Sequence, residues 1–143
     1  MNLKEHFPAI IVIGFLIAGV AVFANDFFSS STTASTVDVK LPALTETALR
    51  GEKSFSKNCA ACHGVNAVGT QKGPPLVHDI YNPGHHGDGA FLLATRRGVR
   101  QHHWPFGDMP AQPQVAEKDV AAITRYIREL QTANGINYRP HRM

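Results

Sequence analysis

The residues with the clearest chemical pattern form the segment Cys59-Ala60-Ala61-Cys62-His63, a C-x-x-C-H motif. This pattern is typical of the attachment of a c-type haem. Two thiols three positions apart can bind the two vinyl groups of one porphyrin as thioethers, which places the histidine under the iron as its proximal ligand. Both cysteines of the chain lie in this motif. The sequence therefore predicts one covalently bound haem c, attached through Cys59 and Cys62, with His63 as an iron ligand.

A C-x-x-C pair can also be a thiol redox centre or half of a zinc site. A thioredoxin-like centre should lie near a βαβ pattern, and the sequence shows no such pattern. A structural zinc site usually requires a second pair of ligands at short spacing, whereas His85-His86 and His102-His103 are adjacent pairs. The motif and the cysteine content together favour haem attachment.

The second axial position of the iron requires a candidate of its own. Of the three methionines, Met1 and Met143 are terminal residues, which leaves Met109. Pro110 restricts Met109 to an extended backbone, and a loop position is unusual for a methionine that only fills a gap in a core. We therefore predict His63 and Met109 as the metal ligands, a pair that raises the haem potential relative to two histidines.

Five other histidines lie between the motif and the end of the following loops: His78, His85, His86, His102 and His103. One of them could replace Met109 at the iron. The adjacent pairs could also bind copper, since imidazole suits this metal. Adjacent side chains point in different directions unless the loop bends, so solvated or hydrogen-bonded loop histidines are the simpler interpretation. The sequence alone leaves their role open.

Two helices are predicted to frame the motif. The first begins at the candidate N-cap Thr45 and carries Gly51 and Phe55 on one face. The second runs from about residue 117 to 133, because apolar residues recur there at three- and four-residue spacing. Its stripe comprises Val120, Ile123, Ile127 and Leu130.

Between these helices, glycines and prolines predict loops over about residues 65–88 and 101–113. A short helix is predicted at 90–98, closed by Gly98. No alternating pattern of a strand is persuasive, so the predicted fold class is all-α.

The N-terminal part of the chain differs in composition from the rest. Residues 8–24 are apolar throughout and follow Lys4. Their number lies above the roughly 7–15 residues of a signal h-region and at the lower edge of the about 17–25 of a membrane span. We therefore expect residues 1–28 to be an N-terminal membrane anchor, or a signal peptide cleaved after Ala24.

The remaining boundaries follow from composition. Residues 29–44 are predicted to be a Ser/Thr-rich linker, 45–133 the haem domain and 134–143 a polar C-terminal tail. Either fate of the N-terminal segment places the haem domain outside the cytoplasm.

The net charge is +3, and no run of Lys or Arg marks a nucleic-acid partner. The densest basic group, Arg96, Arg97 and Arg100, is too small to indicate one. It fits a solvated face, contacts to haem propionates or docking to an acidic protein.

Several short motifs of the chain together resemble a class I c-type cytochrome over about residues 45–132. They are Gly51-x-x-x-Phe55, the C-x-x-C-H, Gly73-Pro74-x-Leu76, Met109-Pro110 and Tyr126 in the closing helix. The resemblance implies N- and C-terminal helices that cross and pack around one covalently attached haem, with Gly51 and Phe55 meeting the Tyr126 region. It also implies that the Pro74 carbonyl accepts a hydrogen bond from His63 and that Trp104 binds a propionate or packs on the haem edge. The segment 102–108, His-His-Trp-Pro-Phe-Gly-Asp, departs from the family pattern. The resemblance implies no role for its two histidines, which leaves a specialised partner open.

The resemblance implies one-electron transfer by a monohaem carrier rather than enzymatic turnover of a small molecule. We expect redox protein partners, contact with the membrane through the N-terminal segment, and a location on the periplasmic side of a bacterial inner membrane. Two alternatives stay open: an electron-entry subunit of a periplasmic oxidoreductase, and a haem enzyme or gas sensor with an open sixth position.

Overall fold

The computed structural model of the chain describes residues 14–16, 18–21 and 37–140. The chain divides into two compact units, Met1–Thr32 and Thr33–Met143. In the first unit the described residues are helical, and Phe15, Leu16 and Val20 have exposed side chains. Most of the predicted anchor or signal segment lies outside the described residues, as do residues 22–36, which include the Ser/Thr-rich stretch.

Among the described residues, no helix reaches the length and apolar character that a membrane crossing demands.

The second unit is built from helices and loops. Over residues 37–140 the α-helices are α1 (Glu46–Asn58), α2 (Ala60–His63), α3 (Asp88–Arg97) and α4 (Glu117–Ala133). Short 3-10 helices occupy Val65–Ala67 and Asp79–Tyr81. In the same range, β-type pairing is limited to the isolated bridges Thr70–Gly73 and Val99–Met109. The predicted all-α fold is confirmed.

The start of α1 is fixed by Thr45. Its backbone is extended, with ψ at 161°, and its Oγ1 accepts a hydrogen bond from the Ala48 N–H at 3.3 Å, as an N-cap does. Thr45 also donates its backbone N–H and its hydroxyl to the carboxylate of Glu129 in α4, at 3.0 and 2.7 Å. The N-cap therefore also ties the first helix to the last one.

The main packing contact joins α1 to α4. A Cβ atom at Gly51 would lie 2.0 Å from the Ala122 carbonyl oxygen, so only glycine permits this approach. Next to this contact, the rings of Phe55 and Tyr126 pack with centroids 5.6 Å apart. The apolar stripe predicted for α4 is buried in the same core, with Ile127 and Leu130 fully enclosed. The packing role that the resemblance implies for Gly51 is present in the structure.

The helix ends differ in part from the expectations. The chain turns at Cys59 (φ −122°), so that α1 ends at Asn58 and the motif forms the separate short helix α2, closed by Gly64 with φ at +76°. The short helix predicted at 90–98 begins two residues earlier, at Asp88. The Asp88 carboxylate lies in the first turn, where a negative charge stabilises a helix. Asn134 and Gly135 end α4 as predicted.

Both flanking segments pack against the domain where the structure describes them. Lys40 exchanges two hydrogen bonds with the Asn134 side chain, at 2.8 and 2.9 Å. After α4, Ile136 is buried in the core and the Arg139 guanidinium lies 3.1 Å from the Asp79 carboxylate. Residues 37–44 and 134–139 thus contribute contacts to the haem domain.

The Gly51→Ala substitution should destabilise the domain, because the new methyl group meets the α4 backbone and not a movable side chain. We expect a loss of about 2 kcal/mol or more in the free energy of unfolding, measured by chemical denaturation. Gly89→Ala is the matched control, since a Cβ at Gly89 in α3 meets nothing within 4 Å. It should leave stability unchanged or raise it by up to about 1 kcal/mol. Equal stability of the two variants would contradict the α1–α4 contact.

Candidate haem-binding site

A cleft of about 330 Å³ lies in the haem domain, within the size range of cofactor pockets. Five of the six predicted site residues line it: Cys59, His63, Pro74, Trp104 and Met109. The sixth, Cys62, is exposed beside them in α2. Much of the remaining lining is apolar and includes Phe55, Leu76, Phe91, Val99, Val120 and Ile123. The fold thus brings together predicted site residues that are up to 50 positions apart in the chain, from Cys59 to Met109.

The geometry of the motif comes from one helical turn. The Cys59 carbonyl accepts hydrogen bonds from the backbone N–H groups of Cys62 and His63, at 3.1 and 2.9 Å. Burial raises the pKa of the Cys59 thiol to about 11, and the neighbouring Cys62 adds to the rise. The two cysteines form no disulfide, so both sulfur atoms are available for thioether bonds to a haem.

His63 is buried, with 8 % of its surface exposed, and its ring is held from behind. Its Nδ1 lies 2.9 Å from the Pro74 carbonyl oxygen, the contact that the resemblance implies. Burial lowers the pKa of His63, and the hydrogen bond to Pro74 opposes this shift only in part. With Nδ1 donating to the carbonyl, Nε2 carries the lone pair that an iron ligand requires.

Met109 is placed by a backbone bridge to Val99. The two residues exchange N–H···O bonds of 3.0 and 2.9 Å. Gly98, with φ at +73°, permits the close approach, because a Cβ there would lie 2.5 Å from the Met109 carbonyl oxygen. Asp108 further closes the loop by accepting the Gln101 N–H at 2.9 Å. Met109 therefore has a defined place in the wall of the cleft that also contains His63.

Trp104 carries a buried donor without an acceptor among the described residues. Its Nε1 is enclosed and makes no hydrogen bond, although the side chain packs edge-on against His78 at a centroid distance of 5.0 Å. Burial raises the pKa of Tyr81 to about 12, and the neighbouring Trp104 indole opposes this rise. The Trp104 Nε1 and the Tyr81 hydroxyl nevertheless do not reach hydrogen-bonding geometry. An unsatisfied buried donor costs about 1–3 kcal/mol, which an acceptor group bound in the cleft would recover.

The loop histidines form a cluster that the sequence interpretation did not favour. His86, His102 and His103 line the cleft, and the His85 ring packs edge-on against His86 and at a tilt against His103. Burial lowers the pKa of both His86 and His103, and charge repulsion within the cluster lowers it further. A hydrogen bond from the His86 ring to the Ile80 carbonyl raises the pKa of His86 and so opposes these two effects. Both rings therefore lose their proton more readily than an isolated histidine does. His78 instead accepts the Ile80 N–H at 3.2 Å and caps a 3-10 helix.

Arg128 of α4 is a structural residue of the site that sequence reasoning missed. Its guanidinium donates to the backbone carbonyls of Tyr81 and His86, pairs with Asp88 at 2.8 Å, and lies 5.0 Å from the centre of the Phe91 ring. It thus joins α4 to the loop before α3 and to α3 itself. The sequence carries no signal for this role, because two of its partners are backbone carbonyls of a loop.

The residues present fit a haem. Two thiols at the spacing of a C-x-x-C-H motif, a buried histidine with its Nε2 available and a largely apolar cleft define a protein that holds haem c covalently. The enclosed Nε1–H of Trp104 in the cleft wall also suits a propionate carboxylate of the haem.

The chain belongs to the cytochrome c family, because the family model for cytochrome c matches residues 48–131. Two curated relatives are similar to it, both described as subunit CcoP of a cbb3-type cytochrome c oxidase and both from Rhodobacter capsulatus. One is 33% identical over 94 residues, and the other, from a named strain of the same species, is 30% identical over the same length. Each alignment covers 62% of this chain and 31% of the relative, so the chain spans about a third of their length. No solved structure matches the chain significantly.

The Arg128→Ala substitution should destabilise the haem domain by about 2 kcal/mol or more, because it leaves polar groups of the loop and of α4 without their donor. Thermal or chemical unfolding of the haem-loaded protein measures this. Arg125→Ala on the same helix is the control. Arg125 pairs with Glu129 one helical turn away, and the Arg125 side chain is exposed to solvent. The control should cost less than about 1 kcal/mol. A similar loss in both variants would show that Arg128 does not hold the loop.

Proposed function

We propose that this protein transfers single electrons between redox proteins, as a monohaem c-type cytochrome with His63 and Met109 as axial ligands. The observation that carries the proposal is that these two residues, from α2 and from the loop after α3, line one cleft beside Cys59. When bound, haem c supplies a one-electron Fe(III)/Fe(II) couple. Ligands on both faces would leave no position for a small-molecule substrate, in keeping with a carrier.

The position of Met109 supports it over the alternative ligands. It is the one methionine among residues 37–140, and it lines the cleft that also contains His63. Its backbone bridge to Val99 holds it in the wall of that cleft. A thioether from Met109 is also the ligand that gives the higher potential.

Pro74 and Trp104 would position the group without touching the iron. The Pro74 carbonyl fixes the His63 ring and increases its basicity as a ligand. The free Nε1–H of Trp104 would donate to a haem propionate, which satisfies the buried donor. Both roles concern orientation and potential, in line with a protein that holds its redox centre in one geometry.

The haem ligation is tested by the visible spectrum of the dithionite-reduced protein with and without carbon monoxide. We expect no shift of the Soret band in the wild type and a clear shift in Met109→Ala, where the sixth position is opened. Met109→His should stay closed to carbon monoxide but lower the potential by about 0.1 V or more, within the roughly 0.8 V that axial ligands span.

His102→Ala is the control, because it removes a cleft-lining imidazole outside the proposed ligand pair; its spectrum should equal that of the wild type. A Soret shift in the wild type would overturn Met109 ligation and the carrier proposal. It would favour the haem enzyme or gas sensor with an open sixth position.

A more specific role follows from the relatives, whose described function is that of an oxidase subunit. We propose that the haem domain works on the periplasmic side of the inner membrane, tethered by residues 8–24, and passes electrons to or within a membrane-bound oxidoreductase. The apolar composition of that segment and the similarity to CcoP support this. Contacts with a freely exchanging partner would bury less than about 1,200 Å².

The tether and the partner are tested together by fractionation. We expect the full-length protein in the membrane fraction, and a haem-containing oxidoreductase to co-purify with it in mild detergent. A chain that starts at Asn25 and is found in the soluble periplasmic fraction would refute the tether. Membrane association without a co-purifying complex would instead indicate an anchored carrier that exchanges between partners.

A further inference from the structure

Histidines from two separate loops converge at the wall of the haem cleft. One ring nitrogen each of His85, His86 and His103 lies within 4.8 Å of the other two. The Nε2 atoms of His85 and His103 are 3.2 Å apart. The His102 ring packs against His103 in a tilted arrangement, with ring centroids 4.2 Å apart, but His102 lies outside this group of three.

A fixed turn explains how two adjacent histidines can face one point. The backbone N–H groups of His85 and His86 both donate to the Asn82 carbonyl, at 3.0 and 2.9 Å. Asn82 is buried, and its side chain accepts the N–H of Gly84 at 2.9 Å. Arg128 holds the same turn through the His86 carbonyl. The loop therefore bends in the way that the sequence pattern alone did not indicate.

The spacing of the nitrogens matches a metal site. Two imidazole nitrogens bound to one ion at about 2.0–2.1 Å are separated by roughly 2.9 Å at the right angles that Cu(II) prefers and by roughly 3.3 Å in a tetrahedral site. The 3.2 Å between the Nε2 atoms of His85 and His103 lies within this range. His86 has its Nδ1 on the Ile80 carbonyl at 2.7 Å, which leaves Nε2 with a lone pair. Metal-binding histidines typically have such a backbone acceptor on their second nitrogen.

The charges nearby permit a cation. Arg128 is a positive charge near His86, and its guanidinium pairs with the Asp88 carboxylate at 2.8 Å. The site is also accessible, because His85 and His86 are half-buried and His103 is exposed.

We propose that His85, His86 and His103 form a second metal site, which binds one first-row transition-metal ion and prefers Cu(II). Imidazole ligands suit this class of ion, and Cu(II) has the highest affinity among the divalent ions of the series. His86 and His103 also line the haem cleft, so the ion lies at the edge of the haem site. A divalent charge there stabilises the reduced haem and raises its potential.

The site is tested on the full-length, haem-loaded protein by equilibrium dialysis against Cu(II) chloride, with electron paramagnetic resonance of the bound ion. We expect one Cu(II) per haem with hyperfine coupling to histidine nitrogen. His85→Ala and His103→Ala should each weaken binding about tenfold or more, the lower end of the effects seen when a metal site loses a supporting group. His102→Ala is the matched control and should bind like the wild type.

Zn(II), which has no redox chemistry of its own, tests the coupling to the haem. It should raise the haem potential of the wild type and leave that of His103→Ala unchanged. Copper binding that is absent, or equal in all variants, overturns the proposal. A changed haem spectrum in metal-free His103→Ala also overturns it, because the histidine would then be an iron ligand. His103→Asn repeats the test if the alanine variant does not fold.

Discussion

The close contact between α1 and α4 is the constraint on which the rest of the haem domain depends. At Gly51 the absence of a side chain lets the backbone of one helix approach the Ala122 carbonyl of the other. The core of Phe55, Tyr126, Ile127 and Leu130 forms around this contact and removes apolar surface from water. Since α1 leads directly into Cys59 and α2, the same contact fixes where the C-x-x-C-H motif meets the cleft.

The cleft residues that precede and follow α3 lie in loops, and these loops are held by hydrogen bonds. The bridge between Val99 and Met109 places the methionine. Arg128 and Asn82 hold the turn that carries two of the histidines. Backbone carbonyls in a loop need donors when they are buried, and a side chain that supplies them also fixes the loop. Helix packing thus positions the C-x-x-C-H motif. Hydrogen bonds, including those that Arg128 donates from α4, hold the loops that carry Met109 and the histidines.

These two kinds of support suit electron transfer. With the proposed ligands His63 and Met109, a redox centre held by a helix and by a hydrogen-bonded loop would change little between its oxidation states. The aligned segment makes up 31% of relatives that are described as oxidase subunits, so the chain is similar to one part of those proteins. The histidine cluster adds a feature at the edge of the cleft that the proposed electron-transfer role does not require.

The sequence by itself determined the cofactor, the fold class and the main helices. The C-x-x-C-H spacing reflects the chemistry of the porphyrin, and the apolar period of α4 reflects the helix geometry, so both are local properties. The N-cap at Thr45 and the helix end at Asn134-Gly135 are local as well. Met109 could be singled out as a ligand candidate by elimination, although its ligation stays a prediction.

Only the tertiary structure decided which distant groups meet. The sequence could not show that Arg128 would bind the carbonyls of a loop over 40 residues away, because a carbonyl has no residue-specific signature. It also argued against a common site for adjacent histidines, since their convergence depends on a turn built on the buried Asn82. Local patterns determine which elements form, whereas the contacts between loops follow from the packing of those elements.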